Sequence, residues 1–148
     1  NTKIHAAQAL GCGPIVTAVL DGAEFVKPVR PNTLAKSLAI GNPADGIYAV
    51  ETVRKSGGYA AHTTDEEIVA AMRLLAATEG IFTETAGGVT LAATIKLIES
   101  GHIGRNESTV ISITGNGLKT LEVVQERVDP PHIVLPQLGA FQELMQTI

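Results

Sequence analysis

Runs too short to be helices alternate along this chain with well-punctuated helical stretches, and that alternation most narrows what it can fold into. Residues 4–9 (I-H-A-A-Q-A), 59–63, 81–84 and 110–113 read as strands, the last β-branched or apolar except for Ser112. Helices are predicted over 15–20, 33–40, 43–56, 65–78 and 85–99. Strand, helix, strand, helix, strand implies an α/β fold, with a parallel or mostly parallel sheet carrying helices on its faces. The pattern leaves the order of the strands open.

The helix boundaries carry most of the local information. Pro14 can occupy the first turn of a helix that turns Ile15, Ala18 and Val19 inward. The preceding Gly11-Cys12-Gly13 lacks both the lysine of a phosphate-binding loop and the third glycine of a dinucleotide fingerprint. Residues 33–40 would bury Leu34, Leu38 and Ala35. Gly41-Asn42-Pro43 breaks the pattern: Asn42 is expected to cap the next helix with Pro43 at its first position, Ile47, Val50 and Val53 inward, and Gly57-Gly58 at its end. Thr64-Asp65-Glu66-Glu67 is a capping box opening a helix with Ile68, Met72 and Leu75 inside. Asp65 and Glu66 therefore read as residues that complement a helix N-terminus, not as a catalytic carboxylate pair. Leu91, Ile95 and Ile98 are the expected inner face of 85–99. Beyond Lys119, residues 122–128 read as a strand or one helical turn, 129–131 as a break, and 138–145 as a terminal helix.

Composition excludes several classes. A formal charge of −4 and 3% aromatic content provide neither a basic footprint nor a stacking platform for nucleic acid. No apolar run approaches the roughly 18 residues needed to span a membrane. The single cysteine, Cys12, excludes an intrachain disulfide, and His5, His62, His102 and His132 lack metal-ligand spacing. No serine sits in a G-x-S-x-G elbow. The chain starts at Asn1 directly into a strand, which suggests residues upstream, although N-terminal processing would look the same.

Three polar features remain as candidates. In residues 112–119 (S-I-T-G-N-G-L-K), Gly115-Asn116-Gly117 is either a connecting turn or a backbone that a flat ligand can approach, with the Thr114 hydroxyl aimed at it. Glu84 ends a strand just before small residues that open a helix, which is where open α/β sheets place ligands. Its plain alternative is a surface carboxylate. Gly41-Asn42 forms a short corner between two helices and either lines a cleft or only interrupts the chain.

Four blocks, S-L-A-I-G-N-P-A (37–44), G-G-Y-A-A-H-T-T-D-E-E-I (57–68), E-G-I-F-T-E-T-A-G-G-V-T-L-A (79–92) and S-I-T-G-N-G-L-K (112–119), resemble in order and spacing the C-terminal part of threonine synthase. That is a pyridoxal-phosphate enzyme family of the tryptophan-synthase β fold type, which converts O-phosphohomoserine and water to threonine and phosphate. The resemblance implies that Thr114 bonds the pyridine nitrogen of the cofactor, a role a neutral hydroxyl can fill toward an unprotonated nitrogen. It also implies that Gly41 and Asn42 lie beside the ring and Glu84 near it. Thr85 departs from the pattern, since many relatives carry proline there.

The family's Schiff-base lysine, phosphate-cradling loop and substrate-phosphate contacts would all precede Asn1. Lys3, Lys27, Lys36, Lys55, Lys96 and Lys119 lack its S-F-K-D-like context and read as solvated, so the chain alone is expected to be inactive. The implied organisation is a catalytic-domain piece over 1–120 and an extension over 121–148. The implied setting is the cytoplasm, with the upstream half of the enzyme and a homo-oligomer as partners. Two other readings stand beside this one: a serine or threonine dehydratase-like lyase of the same fold type, and a binding or regulatory module that kept the sheet and lost the chemistry.

Overall fold

The computed structural model describes residues 2–125 and 131–147. Two parallel strands sit at its centre, β1 (Ala6–Ala9) and β2 (Ala60–Thr63), registered Ala6 to Ala60 through Ala9 to Thr63. The long crossover that parallel strands require runs through α1 (Pro14–Leu20), a 3-10 turn at Lys36–Leu38 and α2 (Gly46–Ser56). After β2 come α3 (Asp65–Glu79) and α4 (Thr85–Glu99), then the short α5 (Glu122–Gln125) and α6 (Leu138–Met145).

Alternation along the strands puts helices on both faces. The registered pair Gln8 and His62 faces α1: the Gln8 side-chain oxygen accepts the amides of Ile15 and Val16 at 2.9 and 3.0 Å, and His62 meets Thr17. Gln8 thus caps a helix whose own N-cap, Gly13, has no side chain to offer. On the other face Ala7 and Ala61 pack with Ala93, Leu97 and Ile103, while Ala9 joins Ile68, Val69, Met72 and Val89. Helices α3 and α4 approach closely at Gly88, where a Cβ would lie 2.7 Å from the Ile68 carbonyl oxygen. Burying Ile68, Val69, Met72 and Val89 contributes about 1.5–3 kcal/mol each before conformational entropy is subtracted.

The expected α/β architecture with parallel strands and helical faces is observed. The capping box is present in both directions: the Thr64 hydroxyl accepts the Glu67 amide at 3.2 Å, and the Glu67 carboxylate accepts the Thr64 amide at 2.8 Å. Ile68, Met72 and Leu75 are buried as expected.

Several elements differ from expectation. Residues 110–113 do not form a strand; they have no ladder partner among the described residues, and Val110 is 94% exposed. Apolar β-branched composition favours an extended backbone, but a strand also needs an edge to bond. Residues 81–84 supply a single antiparallel bridge, Thr83 to Asn116, in place of a strand. Helix α2 starts at Gly46 with Asp45 as N-cap, so Asn42 caps nothing, and Ile47 faces outward. In α1, Val16 is buried while Ile15 and Val19 are half-covered. In α4 the inner face is Val89, Ala92, Ala93 and Leu97, whereas Ile98 is exposed. Ala92 and Ala93 let that face lie close to the strands, with Val89 and Leu97 filling the space beside them. The expected break at 129–131 falls largely outside the described residues, as does the end of the 122–128 segment. No residue of α6 is buried.

Candidate functional site

Two short segments far apart in sequence meet where α4 begins. The Glu84 amide donates to the Gly115 carbonyl at 3.0 Å, and the Gly117 amide donates to the Phe82 carbonyl at 3.0 Å. The Thr83 hydroxyl donates to the carbonyls of Gly115 and Glu84, both at 3.2 Å. Both glycines are needed for space. A Cβ on Gly115 would sit 1.9 Å from Glu84 Oε1, and one on Gly117 would meet the Phe82 ring at 2.5 Å. The Asn116 side chain accepts the Leu118 amide at 2.9 Å and starts a 3-10 turn over Gly117–Thr120.

Glu84 is buried, 4% exposed, so its plain alternative as a surface carboxylate does not hold. Its partner is Lys119, whose Nζ lies 3.1 Å from Glu84 Oε2. A buried carboxylate without such a partner is costly. Thr114 immediately precedes this cluster and is exposed. Gly41 and Asn42 are fixed separately: the Val29 amide donates to the Gly41 carbonyl at 2.9 Å, a Cβ on Gly41 would strike the Val29 carbonyl, and Asn42 is exposed. The structure thus joins Glu84 to the 114–117 turn, while the contacts holding Gly41 run to Val29. Thr83 and Lys119 were not legible as site residues. Thr83 lies inside the 79–92 block but nothing there marked its hydroxyl, and Lys119 read as solvated from its sequence context, its partner lying 35 positions away.

Four of the other five lysines are also engaged. Lys96 bridges α4 to α3 through both Glu67 oxygens at 2.9 Å, Lys3 pairs with Glu107, Lys55 pairs with Glu51, and Lys36 donates to the Thr33 carbonyl. Burial works against the charge of Glu67, but the Thr64 amide and Lys96 outweigh it and hold its carboxyl below the usual range. His62 is pushed the other way: burial, then Lys96, lowers its basicity. Its Nε2 is 3.1 Å from the Thr17 hydroxyl, which spends its hydrogen on the Gly13 carbonyl at 2.9 Å. That assigns the proton to Nε2 and leaves Nδ1 buried without a partner. Among the described residues no three His, Cys, Asp or Glu side chains gather into a metal-holding group, and no helix is long and apolar enough to cross a membrane. A groove of about 770 Å³ runs along β1 and α4, with His5, Ala7, Thr90, Thr94, Val110 and Ser112 in its walls, beside the segment that leads into Thr114.

The helix-covered parallel strands and the glycine turn tied to a helix N-terminus define a class. Residues 1–115 match the family described as "Pyridoxal-phosphate dependent enzyme", and the chain belongs to it. Within that family the likeness is to threonine synthases. The chain is 45% identical over 147 residues to the threonine synthase of Methanocaldococcus jannaschii, covering 99% of this chain and 36% of that one. It is 39% identical over 142 residues to that of Methanosarcina acetivorans, covering 95% and 35%. The solved threonine synthase of Escherichia coli superposes with a TM-score of 0.62 at 18% identity, covering 98% of this chain and 38% of that one, a likeness of fold. The chain spans about a third of the length of the curated relatives it matches.

Proposed function

We propose that this chain is the C-terminal part of a threonine synthase, an enzyme converting O-phosphohomoserine and water to threonine and phosphate. The observation that carries the reading is 45% identity sustained over nearly the whole chain to a threonine synthase. Fold likeness to serine-processing enzymes at about 20% identity or below does not favour the dehydratase alternative, because such likeness speaks to the fold alone. In this proposal residues 1–120 belong to the catalytic domain, 121–148 form an extension, and the complete protein is a cytoplasmic homo-oligomer.

The chemistry of the candidate residues supports one wall of a cofactor site. Thr114 is an exposed neutral hydroxyl beside a glycine backbone, and Asn42 is an exposed amide beside Gly41. Thr114 would bond the pyridine nitrogen, with Gly41 and Asn42 beside the ring. Glu84 would stand near it, its charge offset by Lys119. Bound pyridoxal phosphate supplies the electron sink for chemistry on amino-acid carbons. A neutral hydroxyl at Thr114 would hold the ring nitrogen without forcing a proton onto it, as a carboxylate there would do.

Five of the six lysines are engaged and Lys27 lies exposed outside any S-F-K-D-like context, which supports the reading that the Schiff-base lysine lies in the part of the protein the chain does not span, and that the chain alone is inactive. Val110 and Ile98 are large apolar residues left exposed, which suits a surface that the remaining two-thirds covers. The test is a full-length protein containing this chain, assayed for phosphate release from O-phosphohomoserine and for ammonia release from serine and threonine. Phosphate with threonine is expected; ammonia without phosphate sinks the proposal.

A further inference from the structure

The Glu84 carboxylate is gripped from two sides by one short loop. At the near end its oxygen fills the space over Gly115 that a Cβ would occupy, and its own amide holds the Gly115 carbonyl. At the far end Lys119 reaches back to Oε2 at 3.1 Å. Between these points the turn is locked by the Lys119 amide on the Asn116 carbonyl at 3.2 Å and the Leu118 amide on the Asn116 side chain. Residues 115–119 therefore circle a carboxylate whose side chain is 6% exposed, while that of Lys119 is 63% exposed.

Packing alone does not require this arrangement, since an apolar side chain of similar volume would fill the space without a desolvation cost. A buried charge does something an apolar group does not: it makes other positions of the loop expensive, because any shift that parts Glu84 from Lys119 leaves the carboxylate unpaired. Among the described residues, Lys119 is the cation within ion-pair distance of Glu84.

We infer that Lys119 is a positioning residue for Thr114: through its ion pair with buried Glu84 it holds the 114–117 turn against Thr83-Glu84 and sets where the Thr114 hydroxyl points. This rests on the proposed role of Thr114 and assigns to the same site a residue that does not itself touch the ligand. It also explains how a carboxylate can pack against Gly115, next to a hydroxyl meant for an unprotonated ring nitrogen. Paired with Lys119, Glu84 presents little net charge to that nitrogen.

The test uses a full-length protein containing this chain, with cofactor removed, so its outcome is separate from what Thr114 binds. Amide hydrogen exchange and nitrogen-proton spectra are recorded for the parent, Lys119→Met, Lys119→Arg and Lys119→Met/Glu84→Gln. In Lys119→Met the amides of Glu84 and Gly117, which close the two segments, should exchange about tenfold faster, a local opening gained at a partly exposed pair. The Thr114 and Gly115 resonances should move, while α3 amides stay protected and report an intact fold. Lys119→Arg should restore the parent pattern. The double variant should also return toward it, because a neutral amide at 84 needs no cation. Unchanged exchange and an unmoved Thr114 in Lys119→Met would overturn the inference. So would a double variant as open as Lys119→Met, since charge would then not be the cause.

Discussion

Gly115→Ala tests the geometry of the site at its tightest point. Gly115 is not among the glycines with positive φ, which are Gly22, Gly57, Gly80 and Gly101, so an alanine backbone is acceptable there and only space is at issue. The new Cβ would lie 1.9 Å from Glu84 Oε1, 2.3 Å from Cδ and 2.9 Å from Cγ. Either the carboxylate swings away and strains its pairing with Lys119, or the loop withdraws and loses the bonds that Glu84 N and Thr83 Oγ1 make to the Gly115 carbonyl. Overpacking costs about 1–3 kcal/mol and a lost buried hydrogen bond about 1 kcal/mol, so a loss of about 2–4 kcal/mol is expected. Urea unfolding midpoints measure it, with Gly139→Ala in α6 as the control, since a Cβ there meets nothing within 4 Å. Adding Glu84→Ala should recover part of the loss, a coupling of about 1 kcal/mol or more between contacting positions. A Gly115→Ala protein as stable as its parent, or strict additivity with Glu84→Ala, would refute the packing described.

Thr64→Ala removes the hydroxyl that holds the Glu67 amide and should cost about 1 kcal/mol by the same denaturation assay. Stability should also respond to His62. Its folded basicity lies below the ordinary 6.5, so its contribution is fully present above that pH and is lost as pH falls through the lower folded value. The unfolding midpoint should therefore fall from pH 7.5 to 5.5, and the part removed by His62→Gln measures this residue. Glu67 acts further down the scale. Its depressed carboxyl contributes above the ordinary 4.5 and loses that contribution as pH falls through its folded value, so Glu67→Gln should flatten the acid limb.

What was legible in the sequence was local chemistry that needs no partner far away. The Thr64 to Glu67 capping box spans four residues and forms as read. Short β-branched or small-residue runs between capped helices pointed to parallel strands because crossovers leave few alternatives. The misread elements depended on distant segments. Residues 110–113 had the composition of a strand, but composition cannot supply an edge to pair with. Asn42-Pro43 looked like a helix start, yet the corner is held by the Val29 amide on the Gly41 carbonyl, and α2 begins at Gly46. At the site, Glu84 and the glycine turn could be singled out separately, each from its own neighbours. Their contact, and the place of Thr83 and Lys119 in it, spans more than thirty residues and leaves no local trace.

The central claim is that the 112–119 stretch forms one wall of a cofactor site, with Thr114 as its polar contact. Thr114 is exposed, and replacing its hydroxyl with a methyl of similar size leaves the packing of Thr83, Glu84 and Gly115 in place. The direct measurement is pyridoxal-phosphate affinity and kcat for Thr114→Val in a full-length protein containing this chain, alongside its unfolding midpoint. Weaker cofactor binding or slower turnover at unchanged stability is predicted; parent affinity and parent turnover would contradict the claim.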